Sequence, residues 1–145
     1  MGQSIQEGRG MRFTYEHFEI NNVLKFKADL AQQNKVEEVS DKLLEDGLYT
    51  TCPKVFRVLE DTQHFEVMLP MNREIENIPE GLEYFSKVCC ELCIYTRYLD
   101  FDTDYDSMWK ELKAFADKED KNIKNVYLVQ IPIPGGMVTD VYAEV

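Results

Sequence analysis

The chain has 145 residues, with 27 acidic side chains against 16 basic ones, for a net charge of −11. Hydrophobic residues make up 44% and aromatics 12%, which is enough to build one globular core and too much for a disordered chain. A field of that sign repels a phosphate backbone, so nucleic acid is a poor partner, whereas a cationic ligand or a basic protein surface is favoured. No apolar run approaches the roughly 20 residues of a membrane-spanning helix. The first residues lack a signal-peptide pattern, and Gln6 stands where an N-myristoylation signal needs Ser or Thr. A cytoplasmic protein with no membrane association is therefore expected, its four cysteines present as thiols.

Residues 1–10 are rich in Gly and Gln with a single Ile, and read as a flexible tail before a folded part that opens at Met11. Between Phe13 and Leu30 the string VLKFKADL alternates. Leu24, Phe26 and Ala28 share one side and Lys25 and Lys27 the other, as in a half-buried strand. A helix follows, with Asn34 as N-cap and Glu37 at its third position. Val36, Val39, Leu43 and Leu44 form its apolar stripe, and Gly47 stands where a left-handed C-cap belongs. Lys54–Glu60 and His64–Leu69 read as a hairpin around Asp61, Thr62 and Gln63, ended by Pro70.

Asn72 to Gly81 is a polar joint. Beyond it, VCCELCIYTRYL (88–99) alternates as a strand with Cys90, Leu92, Ile94, Thr96 and Tyr98 on one face. Thr103 followed by Asp106 suits a capping box, and Tyr105, Met108, Leu112 and Phe115 give the next helix its stripe, with Trp109 and Ala116 beside it. Val126–Ile133 and Met137–Val145 then form two strands around Pro134-Gly135-Gly136. The order strand, helix, strand, strand is thus written twice, in pseudo-repeats of about 11–71 and 84–145. The expected fold class is α+β: tandem strand-helix-strand-strand modules forming antiparallel sheet, with helices on one face and a groove on the other.

Four strings in this order resemble the GyrI-like small-molecule-binding domain, which covers the effector domains of multidrug-sensing transcription activators and stand-alone relatives. They are FRVLEDTQHFEVMLPM (56–71), YLDFDTDYDSMWKEL (98–112), NVYLVQIPI (125–133) and MVTDVYAEV (137–145). The resemblance implies a single domain over 11–145 in stand-alone form, without a DNA-binding module, whose groove takes a small organic molecule, apolar or cationic. Two departures stand out. Asp102, Thr103 and Asp104 fill a loop where the family often has Gly-Pro, and Asn125 replaces a pocket Glu that pairs with cationic ligands.

An aromatic-lined groove needs flat side chains and a few polar anchors. Asn125, Tyr127 and Val129 alternate onto one strand face, which the resemblance makes the groove face. Tyr142 on the last strand and Tyr105 or Trp109 near the helix start complete the expected wall, and Glu66 is the candidate for the missing acid. Cys90 and Cys93 form a C-x-x-C, but in a strand positions three apart point to opposite faces. With His17 and His64 unsupported, no metal and no cofactor are expected. Nor is there a nucleophile elbow, a phosphate loop or a zinc-protease motif. The functional expectation is a binding protein without chemistry of its own. The alternatives are an acidic accessory protein docking on a basic partner protein and a small hydrolase.

Overall fold

The computed structural model describes residues 13–29, 35–51, 53–58, 64–99 and 105–145. Among these the elements run β1 (Thr14–Asp29), α1 (Lys35–Glu45), β2 (Val55–Val58), β3 (His64–Pro70), β4 (Glu83–Tyr98), α2 (Tyr105–Lys118), β5 (Asn125–Ile133) and β6 (Gly136–Glu144). The fold is mixed α and β, and the registered strand pairs are antiparallel. The tail, Met11, Asn34, Cys52, the turn at 61–63 and the Asp102-Thr103-Asp104 loop lie outside the described residues. The chain divides into two compact units, one central (Glu19–Cys89) and one terminal (Met1–Phe18 with Cys90–Val145). The dividing points fall inside β1 and β4, both 16 residues long, so each of these strands contributes to both units.

In the central unit β3 lies between β1 and β2. The alternation of VLKFKADL holds: Leu24, Phe26 and Ala28 are 0–4% exposed and pair with Leu69, Val67 and Phe65. Their face joins Val36 and Leu43 of α1, together with Leu48, Met71 and Ile75, in one core. Burying each such aliphatic side chain contributes roughly 1.5–3 kcal/mol. Leu44, expected on the same helix stripe, is 60% exposed instead. A helix against a single sheet face buries a narrow stripe, and Leu44 is turned about 100° beyond Leu43. Helix α1 closes as the glycine requires. Gly47 has φ +77°, its N–H donates to the Leu44 carbonyl, and the Leu48 N–H reaches back to Leu43 at 3.0 Å.

In the terminal unit β6 lies between β4 and β5. The β5–β6 loop is Pro134-Gly135 alone, because Gly136 already pairs with Ile133. Gly135 takes φ +83°, which suits the second central position of a type II turn after proline. Directly opposed residues share a face. One face therefore carries Ile94, Thr96 and Tyr98, with Val141, Ala143 and Val126. The Tyr98 hydroxyl donates to Glu111 at 3.3 Å, which places α2 on this side, with Met108, Leu112 and Ala116 buried beneath it. The other face carries Cys93, Tyr95 and Arg97 of β4, Asp140, Tyr142 and Glu144 of β6, and Asn125, Tyr127 and Val129 of β5.

The strict alternation expected for β4 fails at one point. Leu92 is 41% exposed, while Cys90 and Cys93 are both buried. Registered pairing of β4 with β6 begins at Cys93, and the Leu92 carbonyl accepts from the backbone N–H of Val145. That bond continues the Cys93–Glu144 register by one pair, so β4 pairs regularly with β6 from Leu92 onward.

Candidate functional site

The face of the terminal unit opposite α2 is built by the hairpin register. Counting from the two-residue turn pairs Tyr127 with Tyr142, Val129 with Asp140 and Asn125 with Glu144. Phe18, from the first part of β1, stacks on Tyr127 with centroids 4.9 Å apart and meets Tyr142 at the same distance, tilted by 44°. Tyr142 in turn packs against Tyr95 at 5.0 Å. The result is a run of four rings, Tyr127, Phe18, Tyr142 and Tyr95, each contact of the stacked or tilted kind that aromatic quadrupoles favour.

Polar pairs flank the rings. Beside Tyr95, Asp140 is 6% exposed and accepts two hydrogen bonds from Arg97, from Nε at 2.6 Å and Nη2 at 3.0 Å. This is the bidentate geometry in which guanidinium and carboxylate hold one another most firmly. Asp140 also accepts from the Tyr95 hydroxyl at 2.9 Å. Burial, then the Asp140 carboxylate, pushes the Tyr95 phenol up to about 12. Arg97 is held in its charged form, first by that hydrogen bond to Asp140. Tyr142 is half-buried, and burial followed by the charges of Asp140 and Glu16 raises its phenol as well.

Further along, Asn125 Nδ2 donates to Glu144 Oε1 at 2.8 Å. The Glu144 carboxylate thus stands directly across from Asn125 on the neighbouring strand. The Cys90 side chain lies near enough to Glu144, Tyr127 and Cys93 for each to act on its thiol. Burial first, and then the Glu144 charge, pushes the Cys90 thiol up. Cys90 and Cys93, expected on opposite faces of β4, are both buried.

The expected site residues are only partly brought together. Asn125, Tyr127 and Tyr142 share the ring-lined face. Tyr127 is only 6% exposed, however, with one side against Phe18 and its hydroxyl at Cys90, so it supports the face from within. Trp109 is half-buried on α2, on the Tyr98 side of the sheet. Tyr105 opens α2, and its side chain lies outside the described residues. Glu66 belongs to the central unit and is 5% exposed. Arg57 Nε bonds its Oε1 and Lys25 Nζ lies 3.4 Å from its Oε2. Burial alone would raise the Glu66 pKa, but Arg57 and Lys25 outweigh it and the net shift is downward. A carboxylate already held by two cations has little left to offer a third.

Phe18, Tyr95, Arg97, Asp140 and Glu144 were not read from the sequence as site residues. A signal for Asp140 and Glu144 was present: both are even-spaced from Tyr142, hence on its face. The pairing of Glu144 with Asn125 needed the turn length, since a three-residue loop shifts the register and a two-residue loop does not.

No family model matches the chain, and no curated protein does. Among solved structures it is similar to the crystal structure of a hydrolase from Listeria innocua. The two share 11% identity at a TM-score of 0.51, over 90% of this chain and 91% of that one. A likeness at that level of identity concerns the fold.

Proposed function

We propose that this chain is a stand-alone small-molecule-binding protein of GyrI-like architecture, whose ligand lies against the Tyr142–Tyr95 end of the ring-lined face. The element order supports a tandem strand-helix-strand-strand reading, with a helix covering the side away from the rings. The observation that carries the proposal is the pairing of chemistry across one short strand. Within five residues β6 presents Asp140, Tyr142 and Glu144 on one face. That combination offers a flat apolar surface with fixed polar groups at either end, which is how small-molecule sites combine affinity with orientation. Asp140 is already paired with Arg97, so it is the Glu144 carboxylate that favours a neutral or cationic ligand over an anionic one. Glu144 replaces Glu66 as the recognising acid, because Glu66 is already neutralised.

The test is a thermal-shift screen with hydrophobic cations, neutral aromatics and short peptides. A ligand present at about 100 times its dissociation constant adds roughly 2.7 kcal/mol of stability. Tyr142→Ala abolishes the shift, and Trp109→Phe leaves it in place. Flat melting curves for every class overturn the proposal and favour an acidic accessory protein that docks on a basic partner.

A small hydrolase is the second reading. It is favoured by the Glu144 carboxylate standing beside tyrosines on a common face, an arrangement suited to general-base chemistry. The similarity to a protein described as a hydrolase agrees with it in fold. Turnover of activated esters or epoxides that Glu144→Gln removes decides for this reading; binding without turnover decides for the first.

A further inference from the structure

The register of β4, β6 and β5 sets the ring-lined face out in three cross-strand rows. Tyr95, Tyr142 and Tyr127 form the middle row. Cys93, Glu144 and Asn125 lie on one side of it, and Arg97, Asp140 and Val129 on the other. Successive rows are two residues apart, so the outer rows are separated by about 13 Å along the strand.

The two outer rows offer opposite chemistry. At one end Glu144 is an acceptor, reached by Asn125 Nδ2 at 2.8 Å. At the other end the acid is already occupied. Asp140 accepts Arg97 Nε at 2.6 Å, Arg97 Nη2 at 3.0 Å and the Tyr95 hydroxyl at 2.9 Å, and it is only 6% exposed. What this end presents is therefore the arginine. A guanidinium carries five N–H donors in one plane, and Asp140 takes two of them along one edge. The Nη1 donors have no hydrogen-bond partner among the described residues, and the side chain is 50% exposed. The bidentate pair fixes the plane of the group, so these donors are aimed before anything binds.

We propose that Arg97 determines specificity on this face, and that the ligand is an aromatic molecule with opposite ends. A cationic or N–H group lies on Glu144, and a carboxylate or carbonyl acceptor lies on the outer edge of Arg97. This rests on the function proposed above and names what the second end of that ligand carries. The acceptor meets donors that Asp140 does not use, so the ion pair stays intact when it binds. Lysine could not serve both, because an ammonium is a point charge without a second edge. The spacing of the rows suits two linked rings lying along the tyrosines. A chain of net charge −11 disfavours an added carboxylate unless a local donor receives it, so a gain from that group reports Arg97.

The test is a calorimetric titration of the full chain with two probes. One is a biphenyl with an aminomethyl group at one para end and a carboxylate at the other; the second has the aminomethyl group alone. The two-ended probe is expected to bind about tenfold more tightly, the size of one hydrogen bond to a charged group. Arg97→Gln should remove that advantage. Equal affinity of the two probes for the wild type overturns the proposal, and so does an advantage that survives in Arg97→Gln. If that variant fails to fold, the wild-type Arg97 Nε–H resonance gives the answer. It is expected to move with the two-ended probe and to stay in place with the amine alone; no difference between the probes overturns the proposal. An amine that binds without any gain from the carboxylate leaves the binding function standing and removes the role of Arg97. Failure of both probes, with flat melting curves for every class of compound, overturns the function and this inference together.

Discussion

Among the described residues each of the two units buries one carboxylate against an arginine, and the two are solved differently. In the central unit Glu66 has Arg57 and Lys25 around it, with side-chain exposures of only 26% and 18%. Lys25 is further enclosed by the Phe85 ring, 4.7 Å from its Nζ. In the terminal unit Asp140 has one cation, Arg97, but a bidentate one, and the arginine side chain is 50% exposed. A second donor, the Tyr95 hydroxyl, replaces the second cation. The comparison teaches that equal burial of the acid does not mean equal dependence on it. Removing a carboxylate is most costly where its partners cannot return to water.

The largest effect follows for Glu66→Gln. Arg57 and Lys25 are left facing each other in a half-buried site, and the variant should lose about 3 kcal/mol in urea denaturation, the lower part of the range for breaking a buried pair. Asp140→Asn should lose about 1.5 kcal/mol, since Arg97 swings into solvent and Tyr95 keeps an amide acceptor. Equal losses would break the comparison. Acid should weaken the Glu66 cluster in its own way. The folded-state pKa of Glu66 lies below its unfolded value, so its contribution is present above the ordinary carboxylate range and is lost as pH falls through the depressed value. The acid limb of a stability–pH curve should therefore be shallower in Glu66→Gln than in the wild type.

The helix ends offer the same contrast at smaller cost. Helix α2 closes as α1 does: Asp120 N–H donates to Asp117 and Lys121 N–H reaches Ala116 at 2.8 Å. The left-handed position is Gly47 in one and Asp120, with φ +58°, in the other. Gly47→Ala should destabilise by about 1 kcal/mol, and Asp120→Gly should stabilise by a similar or smaller amount. Opposite signs in thermal melts confirm a shared motif with unequal residues; equal signs refute it.

The smallest effect is spectroscopic. Tyr95 has its pKa raised from 10.0 to about 12. The neutral phenol is favoured in the folded state, so its contribution is complete below pH 10 and disappears as pH rises through 12. An ultraviolet titration should show a late-ionising tyrosine that moves to lower pH in Asp140→Asn.

Much of the framework was legible in local pattern. The period-two run at Leu24, Phe26 and Ala28, the stripe of Met108 and Leu112, and the glycine after α1 each report a preference that few residues satisfy by themselves. The candidate site was legible only in part. Tyr127 and Tyr142 share a face because alternation says so, but whether a tyrosine faces solvent or another ring depends on what crosses it. Phe18, more than a hundred residues away in sequence, decided that for Tyr127.

By itself, the sequence determined where most strands and helices form, most of their apolar faces, and how α1 ends, because those are contests between near neighbours. Tertiary structure alone decided that Glu66 is neutralised by two cations and that Phe18 covers Tyr127. The Lys25–Glu66 and Phe18–Tyr127 contacts join strands far apart in the chain, where one residue of slip exchanges the faces of every side chain that follows.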